Sequence, residues 1–197
     1  MAARDEILSA LRAAAVPEAP LPDVSLFAAV RFPDLRDRFA KSVVEVGGRC
    51  VALAEGDSLE AALQAVPEYA AARKVASLVP GVAKANVDVA ATRNPHDLRD
   101  VDFCVVSAEL GVAENGACWI VHHGGANRAV LFLTQHLAVV VRGETLVHNL
   151  HEGYARAAIP APGFALWLSG PSKTADIEQS LVIGAHGARS CTVFVVG

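Results

Sequence analysis

The sequence predicts an α/β fold in which a mostly parallel sheet lies between two layers of helices, a three-layer αβα arrangement. Most strand-like segments are continuous apolar runs instead of alternating patterns, which is typical of strands covered on both faces. Segments with helical spacing of apolar residues separate these runs along the chain. The 197 residues, of which 53% are hydrophobic, suffice for one domain with a large core.

The first thirty residues are expected to form an arm outside that domain. Apolar residues at helical spacing predict a short helix over residues 4–14. Residues 16–22 contain three prolines and are interpreted as a linker, because proline removes helical hydrogen bonds. We therefore divide the chain into an N-terminal helix with a proline-rich arm, residues 1–30, and an α/β domain, residues 31–197.

The first elements of the domain follow from residue spacing. Leu35, Phe39 and Val43 recur at helical spacing and predict a helix that ends at the glycine pair 47–48. The apolar residues 51–54 then predict the first strand.

Capping residues and apolar runs predict the remaining elements. Residues 57–60, Asp-Ser-Leu-Glu, resemble a capping box and predict a helix with Leu59, Leu63 and Val66 on its buried side. Residues 144–158 carry apolar residues at helical spacing and predict a last helix. Further strands are predicted at Lys74–Val79, Phe103–Val106, Cys118–Val121, Val130–Leu133, Leu137–Val141, Phe164–Leu168 and Thr192–Val196.

Charge and apolar length argue against two classes of partner. The net charge is −4 and no basic run occurs, so nucleic acid is not an expected partner. The longest apolar stretch, residues 129–141, is interrupted by polar residues and is too short to span a bilayer. Acidic residues stand close to Met1, where a signal peptide needs an apolar segment. We therefore expect a cytoplasmic protein without a membrane partner.

The cysteines and histidines predict neither a metal nor an iron–sulfur site, and no cofactor is assigned. His148 and His151 are three residues apart on a predicted helix, but no carboxylate completes a known metal signature. Iron–sulfur and structural zinc sites need closely spaced thiolates. The four cysteines occur without a CxxC pair, at Cys50, Cys104, Cys118 and Cys191.

The segment after the predicted strand 164–168 carries candidate ligand-binding residues. Gly170 and Pro171 end the strand, and Thr174 or Asp176 would cap a following helix. A strand, a glycine-containing loop with a lysine and hydroxyls, and a helix start together form a candidate cradle for an anion. A simple turn is the alternative interpretation of the same residues.

A second candidate loop, residues 111–116, lies between two predicted strands. Asn115 and Gly116 form a turn dipeptide, because both residues accept positive φ at low cost. Glu114 would lie at the lip of that turn, close to a sheet end. The alternative for Glu114 is an ordinary solvated loop carboxylate.

At these loops the chain resembles the lactate-utilisation protein C family, the LUD domain. The similar segments are residues 111–116 and 169–196, and the Gly-Pro-Ser-Lys-Thr-Ala-Asp-Ile-Glu run at residues 170–178 is the most specific of them. The resemblance extends from about residue 30 to the C-terminus. It implies a cytoplasmic protein needed for the oxidation of L-lactate to pyruvate, beside iron–sulfur partner proteins. The implied fold is that of the ribose-phosphate isomerase and coenzyme A transferase superfamily.

Residues 113–116 also resemble the Ser-Glu-Asn-Gly motif of coenzyme A transferases, in which the glutamate attacks an acyl thioester. That resemblance implies that Glu114 is a nucleophile or an acid/base. Ala113 replaces the serine of the motif, and those enzymes combine two such domains where this chain supplies one. The alternative function is therefore a coenzyme A transferase-like or sugar-phosphate-handling enzyme that uses Glu114. Whether the chain is catalytic alone stays open.

We predict one ligand site at the carboxyl ends of the strands, flanked by the two loops. Glu114, the candidate catalytic residue, would face the reacting atom or a hydroxyl. Ser172, Lys173 and Thr174 would hold a small anionic ligand, a carboxylate or a phosphate. Asp176 would orient Lys173 or cap the helix. The candidate ligand-binding residues are Asn115, Gly116, Gly170, Pro171, Ser172, Lys173, Thr174, Asp176 and Glu178.

Overall fold

The chain alternates between strands and short helices along most of its length. In the computed structural model, the described residues are 3–16, 19–20, 22, 29–122, 127–159, 163–174 and 182–197. The helices are α1 (Ala3–Ala13), α2 (Leu35–Glu45), α3 (Leu59–Gln64), α4 (Pro67–Ala71), α5 (Val130–Leu133) and α6 (Leu150–Arg156). The strands are β1 (Arg49–Leu53), β2 (Val75–Ser77), β3 (Phe103–Ala108), β4 (Leu110–Val112), β5 (Ala117–His122), β6 (His136–Arg142), β7 (Leu146–Val147), β8 (Phe164–Leu168), β9 (Lys173–Thr174), β10 (Val182–Ile183) and β11 (Ser190–Val196).

Five strands form a central sheet in the order β1-β11-β6-β3-β2, and every pairing in it is parallel. One face of this sheet packs against α3 and α4, where Leu63 and Tyr69 are fully buried. The other face packs against α2 and α5 through Phe39 and Val130. The predicted α/β fold, a mostly parallel sheet between helical layers, is confirmed.

A second, four-stranded sheet lies on the α2 side in the order β7-β4-β5-β8. Strand β5 pairs antiparallel with both β4 and β8, whereas β7 pairs parallel with β4. Cys118 and Ile120 of β5 belong to the same buried cluster as Phe39 of α2 and Val139 of β6. The sequence analysis did not separate this sheet, because β5 is as continuously apolar as a central strand.

The layer formed by α3 and α4 is fixed by a half-buried carboxylate, Glu60. The predicted helix is present as α3, but its cap is Ser58, one residue after the first residue of the predicted capping box, and it accepts a hydrogen bond from the Ala61 amide at 3.2 Å. Glu60 accepts hydrogen bonds from the Tyr69 hydroxyl and from the Ala83 amide, each at 3.0 Å. Burial raises the pKa of Glu60, but these hydrogen bonds outweigh it and leave the pKa below its usual value.

Residues 130–133 were predicted as a strand, and that prediction is wrong. They form the short helix α5, which buries Val130 and Leu131. The helix begins at a turn in which the side chain of Asn127 accepts a hydrogen bond from the Ala129 amide at 3.1 Å. An apolar run of four residues fits a buried helical turn as well as a strand, so periodicity alone does not separate the two.

The predicted helix over residues 144–158 is shorter in the structure. Gly143–Thr145 form a 3₁₀ turn, and Leu146 and Val147 pair with β4 as strand β7, so only α6 is α-helical. Asn149 begins the helix and accepts a hydrogen bond from the Glu152 amide at 3.0 Å. An asparagine at this position is a strong N-cap signal and marks the true start of the helix.

The predicted N-terminal helix is present as α1, which contains no buried residue. Its apolar residues Ile7 and Leu11 are 60% and 64% exposed. In the described part of the chain, no helix combines the length and the apolar character that crossing a bilayer requires.

We expect Glu60→Gln to lower the free energy of unfolding by about 1–2 kcal/mol near neutral pH, because the amide cannot satisfy all of these donors. The pKa of Glu60 is lowered on folding, so its contribution is present above the unfolded-state pKa and is lost as the pH falls. Urea unfolding at about pH 7 and about pH 3 measures both effects. Glu55→Gln, in an exposed turn, is the matched control. An equal loss of unfolding free energy in the two variants would contradict the stabilising role assigned to Glu60.

Candidate functional site

The loop that carries Glu114 packs against the last turn of α2. The Ser42 hydroxyl donates a buried hydrogen bond to the Ala113 carbonyl at 2.6 Å. Gly116 has a φ of +67° and lies on the helix backbone, where an added Cβ would be 2.9 Å from the Val43 nitrogen. Glycine is therefore required here by both its conformation and its close approach to the helix.

The second loop packs against the same helix end. Gly170 has a φ of +70°, and an added Cβ would lie 2.7 Å from the Val46 carbonyl oxygen. The Lys173 ammonium group donates a hydrogen bond to that carbonyl. Because the carboxyl end of a helix carries partial negative charge, a lysine there is favourable. In this structure Lys173 therefore caps α2.

A direct hydrogen bond joins the two loops. The Ser169 hydroxyl donates to the Asn115 carbonyl at 2.8 Å. The side-chain oxygen of Asn115 accepts a hydrogen bond from the Ala117 amide at 3.1 Å, which closes the predicted turn. The structure thus brings Asn115, Gly116, Gly170 and Lys173 together at the end of α2, although more than fifty residues separate the two loops in the sequence.

Contrary to the prediction, the two loops do not lie at the carboxyl ends of the central strands. Helix α2 leads through residues 47–48 directly into the amino end of β1, so its last turn lies beside the amino ends of the central strands. Both loops follow strands of the second sheet, β4 and β8. In α/β proteins, ligands bind outside the carboxyl ends of the strands of the parallel sheet. These two loops extend from the other sheet, so that expectation does not apply to them.

The Glu114 side chain is directed to the start of α6. It is exposed, and its Oε2 atom accepts a hydrogen bond from the Leu150 amide at 3.1 Å. A carboxylate at the amino end of a helix satisfies a free amide and opposes the partial positive charge there. Glu114 and Lys173 are thus held by the ends of two different helices.

Residues that were not predicted to belong to this site surround this end of α6. Arg31 forms an ion pair of 3.0 Å with Glu152. The Phe32 amide donates to Nδ1 of His148 at 3.0 Å, so this histidine orders the segment that precedes α2. The Asn-x-x-Glu pattern at residues 149–152 is a capping signal that could have located this junction.

The remaining predicted residues of the second loop lie in or next to a short antiparallel strand pair, β9 and β10. Thr174 or Asp176 was expected to cap a following helix; Thr174 lies in strand β9 and pairs with Val182 of β10. The Ser172 amide donates to the Ala188 carbonyl at 2.9 Å, and Pro171 is buried. Thr174 therefore does not cap a helix, and the alternative cap at Asp176 stays a prediction. Asp176 and Glu178 lie outside the described residues.

Three of the four cysteines are buried in the core, and Cys50 is partly buried against it. Burial raises the pKa of Cys104 and of Cys191 to about 12 and that of the less buried Cys50 to about 11. Burial also raises the pKa of Cys118. The thiolate, which is the nucleophile and metal ligand, is therefore disfavoured at all four positions. Within the described ranges, no three histidine, cysteine or acidic side chains converge on a point that could hold a metal ion.

Comparison with known proteins identifies the family. The LUD domain profile matches residues 36–196. The chain belongs to the LUD domain family. This match includes both loops at the end of α2 and the whole central sheet.

Relatives of this LUD domain protein include "Lactate utilization protein C" of Deinococcus radiodurans, 36% identical over 104 residues. That match covers 51% of this chain and 49% of the relative. The protein of the same name from Bacillus pumilus is 29% identical over 108 residues, which cover 52% of this chain and 45% of the relative. The chain thus matches about half the length of these curated relatives.

A solved structure supports the fold of this LUD domain protein. The crystal structure of a DUF162 family protein from Deinococcus radiodurans superposes with a TM-score of 0.63 and 18% sequence identity. The superposition covers 83% of this chain and 96% of the other. At this identity, the similarity establishes the shared fold alone.

We expect Gly170→Ala to destabilise the protein by about 2–4 kcal/mol, because it combines an unfavourable positive φ with a steric conflict. Gly56→Ala is the matched control: Gly56 has a φ of +90°, and no atom lies within 4 Å of an added Cβ. The control should lose only about 1–2 kcal/mol. Chemical denaturation of both variants measures the difference. Equal losses would mean that the contact between Gly170 and α2 contributes little.

Proposed function

We propose that this protein is a non-redox component of a cytoplasmic system that oxidises L-lactate to pyruvate, and that it works with iron–sulfur partner proteins. The observation that carries the proposal is the LUD domain match together with relatives named "Lactate utilization protein C". The buried cysteines support the division of labour, because their raised pKa values disfavour thiolate ligands. Electron transfer is accordingly assigned to the partners.

The two loops at the end of α2 are proposed to hold a small carboxylate or phosphate. Lys173 is exposed in strand β9, directly after the second loop, and its ammonium group can exchange the Val46 carbonyl for an anionic ligand. Ser172 and Thr174 supply hydroxyl donors beside it. Glu114 offers a second carboxylate oxygen, Oε1, for a hydroxyl or a reacting atom, while Oε2 stays bound to the Leu150 amide.

The arm and the domain are proposed to be separate units, divided near residue 30. Support comes from α1, whose side chains are all at least partly exposed, and from the family match, which begins at residue 36. In this arrangement the α/β domain carries the ligand site, and α1 is available for contacts with the partner proteins.

A growth experiment tests the proposed role. Deletion of the gene should abolish growth on L-lactate as the carbon source and leave growth on glucose unchanged. A plasmid copy with Glu55→Gln should restore growth, whereas a copy with Glu114→Gln should restore it poorly. The glutamine side chain of the Glu114→Gln variant keeps an oxygen acceptor for the Leu150 amide, so the variant should fold and lose only the charge.

The growth results test the proposed role of the protein and the need for the Glu114 charge separately. Unimpaired growth of the deletion strain on lactate, with no paralogue present, would overturn the proposed role. Full rescue by Glu114→Gln, at equal protein abundance, would show that the carboxylate charge is not needed even if the role is correct.

The second candidate function is that of a coenzyme A transferase-like enzyme. It is favoured by an exposed glutamate in a Glu-Asn-Gly turn, of which one carboxylate oxygen makes no hydrogen bond among the described residues. The carboxylate would bond to the acyl carbon as the thioester C–S bond breaks and coenzyme A leaves as the thiolate. The purified chain alone should then exchange coenzyme A between acetyl-coenzyme A and a free acid. No exchange without partner proteins would favour the first proposal.

A further inference from the structure

A cleft lies at the amino ends of the central strands, on the opposite face of the sheet from α2. Its volume is about 420 Å³, within the range of small-molecule sites. Glu68 of α4 forms one wall, and Asp102, Gln135, His136 and Arg189 line the strand side. Each of these last residues lies at or just before the first residue of β3, β6 or β11, so the parallel register of the sheet brings them together.

The imidazole of His136 is held in a defined orientation within this cleft. His136 and Ser190 are direct partners in the β6–β11 ladder. Their side chains form a hydrogen bond of 2.8 Å between Nδ1 and the hydroxyl oxygen. When the serine donates, Nδ1 accepts and the proton of the neutral ring is on Nε2. Nε2 makes no hydrogen bond within the described residues, so in this tautomer it is a donor for a ligand.

The acidic groups of the cleft already have partners within the protein. One oxygen of Asp102 accepts hydrogen bonds from the Arg73 and Lys74 amides at 2.9 and 2.8 Å, and these bonds keep its pKa below the usual value. Glu68 forms an ion pair of 3.3 Å with Arg49. Arg49 thus offsets the charge of Glu68, whereas the amide hydrogen bonds stabilise Asp102 in its ionised form.

The positive group of the cleft, the Arg189 guanidinium, has no ion-pair partner in the part of the chain that the structure describes. The Arg189 backbone amide donates to the Gln135 carbonyl at 2.8 Å, which fixes the start of the side chain. The exposed guanidinium group forms no ion pair with the described residues. Arginine presents a planar set of donors that matches the geometry of a carboxylate or a phosphate.

We propose that this cleft is a binding site for a small oxyanion, a carboxylate or a phosphate, held by the Arg189 guanidinium group and Nε2 of His136. The site is separate from Glu114 and the two loops, and it does not depend on the proposed function. Ser190 is a positioning residue that fixes the imidazole ring. Asp102 and Gln135 shape the floor of the cleft.

The ionisation of His136 provides a direct readout. Burial lowers its pKa, and the charge of Arg189 acts in the same direction, while Glu68 and Asp102 raise it. A bound anion adds negative charge beside the ring, so it should raise the pKa of His136, and binding should tighten as the pH falls. The full-length protein is titrated with inorganic phosphate, L-lactate or pyruvate at constant ionic strength, and the imidazole signals are followed by NMR. His136→Asn assigns the relevant signal.

Variants then localise the binding, with calorimetry as the measurement. Arg189→Gln should weaken the affinity by about tenfold, because a charge-assisted pair is lost. His136→Asn should weaken it as well, since asparagine can replace Nδ1 toward Ser190 but has no atom at Nε2. Arg156→Gln, at the end of α6, is the control and should bind as the wild type does. Should Arg189→Gln fail to fold, the histidine variant tests the same site.

The outcomes separate the ligand sources. Saturable binding of phosphate alone supports the proposal with a phosphorylated ligand, and binding of lactate or pyruvate supports it with a carboxylate. The proposal is overturned if no probe shifts the His136 signal saturably at millimolar concentration. It is also overturned if Arg156→Gln weakens binding as much as Arg189→Gln, because the effect would then reflect overall charge.

Discussion

The packing of the second sheet on the last turn of α2 determines the positions of both motif loops. Gly116 and Gly170 approach the helix backbone so closely that a methyl group at either position would fall within 3 Å of a backbone atom. The buried hydrogen bond from Ser42 to Ala113 and the cap from Lys173 to Val46 hold the loops to the same turn. The glycines of both motifs are therefore explained by packing, before any ligand is considered.

The sequence predicted the central sheet because each of its strands is a continuous apolar run between helical segments. It did not predict the second sheet or α5, for one physical reason. Burial on both faces removes the alternation that distinguishes a strand, so β5 resembles a central strand. Likewise, the four apolar residues of α5 fit a buried helical turn as well as a strand. Contacts with the rest of the fold therefore determine which sheet β5 joins and that α5 is helical.

The candidate site was predicted in part. The turn at Asn115-Gly116 and its proximity to the second loop agree with the structure, but the loops lie beside the amino ends of the central strands. The predicted position of the loops was wrong because β4 and β8, which precede them, belong to the second sheet and not to the parallel one. The cleft at His136 carried no local signal, because His136 and Ser190 are 54 residues apart and meet only through the register of β6 and β11.

The two proposed anion sites differ in the contacts that a bound ligand would have to displace. At the loops, Lys173 is bound to the carboxyl end of α2 and Glu114 to the amino end of α6, so both charges already interact with helix ends. A ligand there must offset the loss of the Lys173 cap. In the cleft, Arg189 and Nε2 of His136 have no partner among the described residues, while the nearby carboxylates are satisfied internally. A ligand at the proposed cleft site would therefore displace no described partner of these two groups, whereas a ligand at the loops would have to displace the Lys173 cap.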